Sequence, residues 1–243
     1  MKNKLLSLAG LLAAFNLNAI EIGPTGSGVE MSGFVDVAFS KSGPLGADAT
    51  GAQVETNFSY ATGPVSAVVG FDFGGGALYS SGAFNDANAT GDSTGLDTYD
   101  GNLEEAYITY DFGNGFSATG GKMLTYMGFE AFDPTNMYQF SYAYDVIGAQ
   151  DIYDAHDYGA SVDYGTDAFS IGVWSSLEND AGYELALAYT GIENFTAKAI
   201  WSDFSDQGYE KSTFWVSYQM DKLLLAAEVA ENDQQAAGDD GDN

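Results

Sequence analysis

The chain has no cysteine, no arginine and a single histidine among its 243 residues. The lack of cysteine excludes disulfides and suits an exported protein, although alone it decides little. Seven lysines stand against 35 acidic residues, so the formal net charge is −28 at pH 7. Because such a charge repels phosphate, nucleic acid is excluded as a partner. After Phe15 no stretch approaches the roughly 18 consecutive apolar residues of a membrane-spanning helix. If the mature chain lies in a membrane, it crosses as strands.

Residues 1–19 have the layout of a secretory signal peptide. Two lysines precede an apolar run of about ten residues, and Ala19 is a small residue at the cleavage position. The alternative is a buried N-terminal helix. We predict a signal peptide at 1–19 and one domain at 20–243. Removal of the signal peptide takes away two lysines and no acid, so the net charge of the mature chain becomes 5 − 35 = −30.

From Met31 onward, short segments alternate between apolar and polar side chains. In 53–60, for example, Val54, Phe58 and Tyr60 share one parity, and polar side chains occupy the other. Such alternation predicts strands of a sheet with two different faces. Eleven segments show it: 33–39, 53–60, 65–73, 103–112, 116–122, 158–164, 169–173, 183–189, 195–201, 214–218 and 223–229.

The connections between these segments alternate between short and long. Turn residues such as Gly113-Asn114-Gly115 occupy the short ones, whereas 74–102 and 123–155 are long. Short turns on one rim and long loops on the other are typical of an up-and-down barrel, and aromatic residues at the strand ends match interfacial girdles. We therefore predict an all-β fold, a transmembrane up-and-down antiparallel β-barrel of about 12 or more strands when complete. A soluble all-β protein is the alternative.

Eleven strands do not close a bacterial barrel, which needs an even number. The last predicted strand ends at 229, and the acidic residues that follow resemble the beginning of an outer loop. We therefore expect that the sequence is truncated at its C-terminus and that at least one strand is missing.

The long connection 123–155 is too long for a turn and too rich in aromatic residues for disorder. We predict that it folds inward and narrows a pore; the alternative is an outer loop that covers the rim. The predicted constriction residues are Glu130, Asp133, Tyr138, Tyr142 and Asp145.

If the apolar parity faces lipid, the opposite parity lines a water-filled lumen. The predicted pore-lining residues are Asp36, Glu55, Asp72, Glu105, Asp111, Lys122, Asp163, Glu184, Lys198 and Glu228. Because carboxylates inside a pore favour cations, we predict a cation preference. The alternative is that these residues only keep the lumen wet.

Several motifs cluster between residues 121 and 159. Gly121-Lys122 is a Gly-Lys strand end, Gly128-Phe129-Glu130 is a Gly-aromatic-Glu element, and Ser141-Tyr142-Ala143-Tyr144 follows Asn136. In these features, and less closely in His156-Asp157-Tyr158-Gly159, the chain resembles the OmpL-like family of outer-membrane β-barrel porins. The resemblance covers about residues 30–230 and implies passive diffusion of small hydrophilic solutes through a bacterial outer membrane. Because arginine is lacking, the chain departs from porins that place a basic wall opposite an acidic loop.

No cofactor and no dedicated metal site is predicted. Calcium-like spacing at 86–92 with Asp97, and the acids around His156, are each interpreted more simply as solvated loops. The predicted partners are outer-membrane lipids and lipopolysaccharide, bridged by divalent cations to the acidic chain, together with small hydrophilic solutes and a homotrimeric assembly. Two other functions stay open: an adhesin or receptor barrel with a closed lumen, and an outer-membrane hydrolase with His156 as its base.

Overall fold

The computed structural model describes residues 13–22, 24, 26–40, 49–76, 103–129, 156–178, 182–204 and 208–234. The five predicted constriction residues lie outside these ranges, as do Asp97 and the segment 86–92. Within them every regular element is a β-strand, and no helix is long and apolar enough to cross a bilayer.

Twelve strands are present in the described part of the chain. They are β1 (Ala13–Glu21), β2 (Val29–Ser40), β3 (Ala49–Thr62), β4 (Val65–Gly76), β5 (Leu103–Gly113), β6 (Phe116–Leu124), β7 (His156–Gly165), β8 (Phe169–Ser176), β9 (Tyr183–Ile192), β10 (Phe195–Phe204), β11 (Tyr209–Met220) and β12 (Leu223–Gln234). They form one antiparallel, up-and-down sheet whose order follows the chain from β1 to β12. The predicted all-β, up-and-down fold is confirmed.

Eleven of the twelve strands contain the predicted segments, and β1 is the additional one. It pairs with β2 through residues such as Ala13 with Val37 and Phe15 with Val35, with a shift in register between Leu17 and Ile20. The strand was missed because the apolar run before it hides the alternation of its own side chains. It overlaps the signal peptide predicted at 1–19, whose cleavage stays a prediction.

The predicted short turns fall where two strands meet in a hairpin. Asn114, Asn194 and Asp221 have φ angles of 56°, 61° and 50° at three of these turns. Two-residue hairpin turns match the twist of the flanking strands when φ is positive, and Asn and Asp tolerate this conformation better than other non-glycine residues. The turn residues therefore fix which strands become neighbours.

The chain divides into two compact units. One contains β1, β2 and most of β3 and β4, and the other contains most of β5 and all of β6 to β12. In the first unit the carboxylate of Asp36 is buried while the neighbouring Val35 and Val37 are exposed. This is the reverse of the pattern in a soluble protein, where charged groups are rarely buried.

The second unit has the same reversed pattern over eight strands. Leu187 and Val229 are 48% and 67% exposed, whereas Glu184 and Ser202 are both 0% exposed. We call the face that carries Ser161, Glu184, Ser202 and Lys211 the polar face, and the opposite one the apolar face. The apolar face of this unit carries exposed large hydrophobic residues on every strand: Ile108, Phe116, Val162, Ile171, Leu187, Trp201, Phe214 and Leu225.

Candidate functional site

A row of paired residues crosses the second unit from β5 to β12. Each member is the cross-strand partner of the next, and the row runs Thr109, Thr119, Ser161, Trp174, Glu184, Ser202, Lys211 and Asn232. Directly paired residues of antiparallel strands point to the same side of a sheet. The row therefore lies on the polar face, and its first two hydroxyls are 2.8 Å apart in a hydrogen bond.

The segment that follows β6 lies against this face. Strand β6 ends at Leu124, and in residues 125–129 the side chains of Thr125 and Met127 are buried. Met127 packs in one cluster with Ala186 of β9 and Ile200 of β10. The beginning of the long connection thus crosses the strands of the polar face instead of extending away from them.

The backbone of this segment is held by charged side chains of three strands. The N–H of Tyr126 donates to Oε2 of Glu184 at 2.6 Å, and its carbonyl accepts from Nζ of Lys198 at 3.2 Å. The N–H of Phe129 donates to Oε1 of Glu228 at 3.1 Å. Hydrogen bonds with an ionised partner are roughly twice as strong as neutral ones. The path of the segment therefore depends on Glu184, Lys198 and Glu228 of the strands.

The phenol of Tyr126 completes this network. Its hydroxyl donates to Oδ1 of Asp163 at 2.6 Å, and the hydroxyl of Ser161 donates to Oδ2 at 2.8 Å. Burial first, and then the hydrogen bond to Asp163, raise the pKa of Tyr126 above its usual 10.0. The phenol consequently stays protonated at physiological pH and remains a hydrogen-bond donor. Lys198 also lies over its ring, with Nζ 5.6 Å from the centroid, in a cation–π contact.

Aromatic rings also lie on the polar face, next to the end of β6. Trp174 and Phe204 pack with Met123 in a buried cluster, and Phe204 stacks on Tyr209 with centroids 5.2 Å apart. A Cβ on Gly159 would collide with the ring of Trp174, and a Cβ on Gly182 with that of Phe204. Glycine at these two positions therefore provides the space in which the rings lie flat against the strands.

Some polar atoms of this face are buried without a protein partner. Among the described residues, Trp174 Nε1, Ser202 Oγ and Thr213 Oγ1 make no hydrogen bond. Buried polar atoms are normally satisfied by protein or by ordered water. The neighbouring strands therefore do not supply hydrogen-bond partners for these three atoms.

The first unit carries its own group of buried polar side chains. Nε2 of Gln53 donates to Oδ2 of Asp72 at 2.8 Å, and Nδ2 of Asn57 donates to Oε1 of Glu55. Asp36, which pairs with Gln53 across β2 and β3, is 1% exposed. Three predicted pore-lining acids, one from each of β2, β3 and β4, thus lie on the buried polar side of this unit.

In the second unit, the predicted residues Asp163, Glu184, Lys198 and Glu228 are brought together by the segment 125–129. Asp111 lies at the far end of β5 and is exposed, where its Oδ1 accepts from the N–H of Gly113 at 2.7 Å. It therefore also caps a hairpin turn. That these residues and Glu105 line a pore stays a prediction.

Lys122 occupies a different position from the other predicted residues. It pairs with Ala106 and with Tyr158, which share the strand parity of the apolar face, and its Nζ lies 5.8 Å from the centroid of the Tyr158 ring. His156 is next in the same register, opposite Leu124. Within the described ranges no group of three or more acidic, His or Cys side chains is arranged to hold a metal ion.

Sequence reasoning did not single out Tyr126, Lys211 or Trp215. Lys211 is buried at the polar parity of β11, and the ring of Trp215 lies 5.1 Å from that of Phe129. The predicted strand began only at 214, because Glu210-Lys211-Ser212-Thr213 is polar at both parities and hides the alternation. No local pattern in the sequence marks Tyr126, since its partners are 37 to 72 residues away.

A family model described as "Putative beta-barrel porin-2, OmpL-like" matches residues 30–204 of the chain. The matched range begins in β2 and ends with β10, so it includes the segment 125–129 and two of the three strands whose charged side chains hold its backbone. A comparison with curated proteins finds no match.

Proposed function

The chain belongs to the OmpL-like β-barrel porin family, and from this premise we propose that it is an outer-membrane porin. Its sheet closes into a barrel that gives small hydrophilic solutes and ions passive passage through a water-filled lumen. The lumen favours cations, and the segment that begins at Thr125 narrows it. No reaction and no bound cofactor takes part in this function.

The observation that carries this proposal is the reversed distribution of polar and apolar side chains. Each exposed large hydrophobic residue in water loses the favourable transfer of its apolar surface, about 25 cal/mol per Å². The apolar face presents such residues on every strand of the second unit, while Glu184 and Lys211 of the polar face are buried. Lipid around the apolar face and water on the polar face satisfy both sets, as in transmembrane barrels.

The same observation weighs against a soluble all-β protein. A soluble sheet would bury Val162, Leu187 and Phe214 and expose its carboxylates, whereas the described residues do the opposite. A hydrolase is also disfavoured, because the register of His156 places it at the parity of the apolar face, opposite Leu124.

Charge on the polar face supports the preference for cations. In the second unit, the acids Glu105, Asp111, Asp163, Glu184 and Glu228 stand against two lysines, Lys198 and Lys211. Carboxylates that line a passage raise the local concentration of cations. The net charge of −28 for the whole chain has the same sign.

The test is current through planar bilayers that contain the folded protein. Under a KCl gradient we expect single-channel current steps and a reversal potential of the sign that results when K⁺ carries more current than Cl⁻. Folding is checked beforehand by gel electrophoresis, in which a folded membrane barrel migrates differently before heating than after it. Folded protein without any conductance contradicts the porin function, and a reversal potential of anion sign contradicts the charge preference alone.

A further inference from the structure

Tyr126 is held from both sides by two oppositely charged residues on neighbouring strands. Glu184 of β9 accepts its N–H, and Lys198 of β10 donates to its carbonyl. Both side chains act on the backbone of one residue, so the contact does not depend on which side chain that residue carries. Because one residue holds the N–H and the other holds the carbonyl, the two hydrogen bonds fix both the position of this backbone and its direction across the strands.

The two residues differ in what they do to the local charge. Glu184 and Asp163 each bring a carboxylate to the network around Tyr126, and Lys198 is the cation that lies among them. The side chains of Met127 and Ile200 pack in one cluster, and Tyr126 lies against it. Removal of Lys198 would therefore leave two neighbouring carboxylates without the cation between them, whereas removal of the charge of Glu184 would leave one carboxylate with the lysine.

We propose that Glu184 and Lys198 are the positioning residues of the channel, and that together they set the strength of its ion selectivity. They hold residues 125–129 across the polar face as a fixed constriction, and Lys198 limits the cation preference that Glu184 and Asp163 create. This inference rests on the proposed porin function for its second half only. The first half concerns the position of the segment and is measurable without any current.

The position of the segment is measured with one introduced thiol. Met127 is 5% exposed and the chain has no cysteine, so Met127→Cys provides a single thiol that is shielded while the segment is docked. In liposomes, its reaction rate with a water-soluble maleimide reports the undocked fraction. Lys198→Met and Glu184→Ala each remove one charged hydrogen bond, and we expect about a tenfold faster reaction, which corresponds to about 1.4 kcal/mol.

Two matched variants separate positioning from charge. Glu184→Gln keeps an oxygen that accepts the N–H of Tyr126 but loses the charge, so its labelling rate should rise less than that of Glu184→Ala. Lys222→Met removes a lysine from the exposed turn between β11 and β12 and should also leave the rate unchanged. If Lys198→Met labels no faster than Lys222→Met, the positioning role is wrong.

The same variants without the thiol are then compared by reversal potential. Glu184→Gln should lower the cation preference more than its small change in labelling rate accounts for, Lys198→Met should raise it, and Lys222→Met should leave it unchanged. A Glu184→Gln channel as cation-preferring as the starting protein overturns the charge role. Complete lack of conductance together with the expected labelling pattern overturns the porin function while the positioning role stands.

Discussion

The side chain of Tyr126 lies in the space that a side chain on Gly172 would need. A Cβ built on Gly172 would be 2.6 Å from the phenol oxygen of Tyr126 and would also collide with Oδ1 of Asp163. Strand β8 therefore carries glycine at the point where the side chain of Tyr126 lies against it. The absence of one methyl group permits the hydrogen bond between Tyr126 and Asp163.

Gly172→Ala should separate the phenol from Asp163 without disturbing the strand. The colliding atoms are the ends of two side chains, which can rotate away, so the loss is confined to one hydrogen bond to a charged group. In the Met127→Cys background we expect about a tenfold faster maleimide reaction, corresponding to about 1.4 kcal/mol. Gly120→Ala on β6 is the control, because nothing lies within 4 Å of its added Cβ. Equal rates in both variants would contradict the proposed fit.

A charge on the apolar face should destabilise the protein in a bilayer. Leu187 is 48% exposed and lies between Tyr183 and Tyr189 on β9. Leu187→Arg is expected to lower the free energy of unfolding by about 2–4 kcal/mol, the cost of arginine near the middle of the lipid-facing band. The measurement is urea unfolding in liposomes. Ser170→Arg, at the opposite parity on β8, serves as the control and should cost much less; equal costs would mean that the two faces meet the same solvent.

Tyr126→Phe should destabilise the protein by about 1 kcal/mol, since one hydrogen bond to a partly exposed carboxylate is lost. The pKa of Tyr126 is raised in the folded chain above the 10.0 of the unfolded chain. The folded state therefore binds this proton more tightly, and the advantage of the starting protein over Tyr126→Phe is complete below pH 10 and declines above it. Unfolding free energies of both proteins at pH 8 and at pH 11 measure the change. A difference that grows with pH would contradict the hydrogen bond.

The alternation of side chains was enough to predict most of the fold. Val54, Phe58 and Tyr60 mark one face of β3 without any knowledge of its neighbours, and Asn114 marks a hairpin turn by its own chemistry. These are local properties, decided within a few residues. The strand β1 and the first residues of β11 escaped notice because Leu5 to Phe15 is apolar at both parities and Glu210 to Thr213 is polar at both.

The site was predicted only in part, for a related reason. The alternation of residues along each strand is sufficient to place Asp163, Glu184 and Glu228 on one face. The contact between Tyr126 and Glu184 joins residues 58 positions apart, and the Tyr126 phenol lies in space left by Gly172 of β8, so no local pattern predicts either. Lys122 lies at the other parity, because its register pairs it with Ala106 and Tyr158, and that it lines a pore stays a prediction.

The predicted signal peptide gives a further expectation about the mature protein. Cleavage after Ala19 would leave only Ile20 and Glu21 of β1. We expect a mature chain that begins at Ile20, because the lysines and the apolar run before it have the layout that signal peptidase recognises. Intact mass spectrometry of protein from outer membranes measures this directly. A chain that retains Ala13 to Ala19 would instead keep the whole of β1 paired with β2.

Neighbours in the sheet are also neighbours in the chain, from β1 to β12. In a polypeptide of this kind each strand pairs with the one before it in the chain, and only closure of the barrel requires a distant partner. Contacts between strands that are close in sequence shorten the search for the native pairing. In a bilayer the amide groups of an open sheet edge would have no partner, so each strand is satisfied only when its neighbour has paired with it.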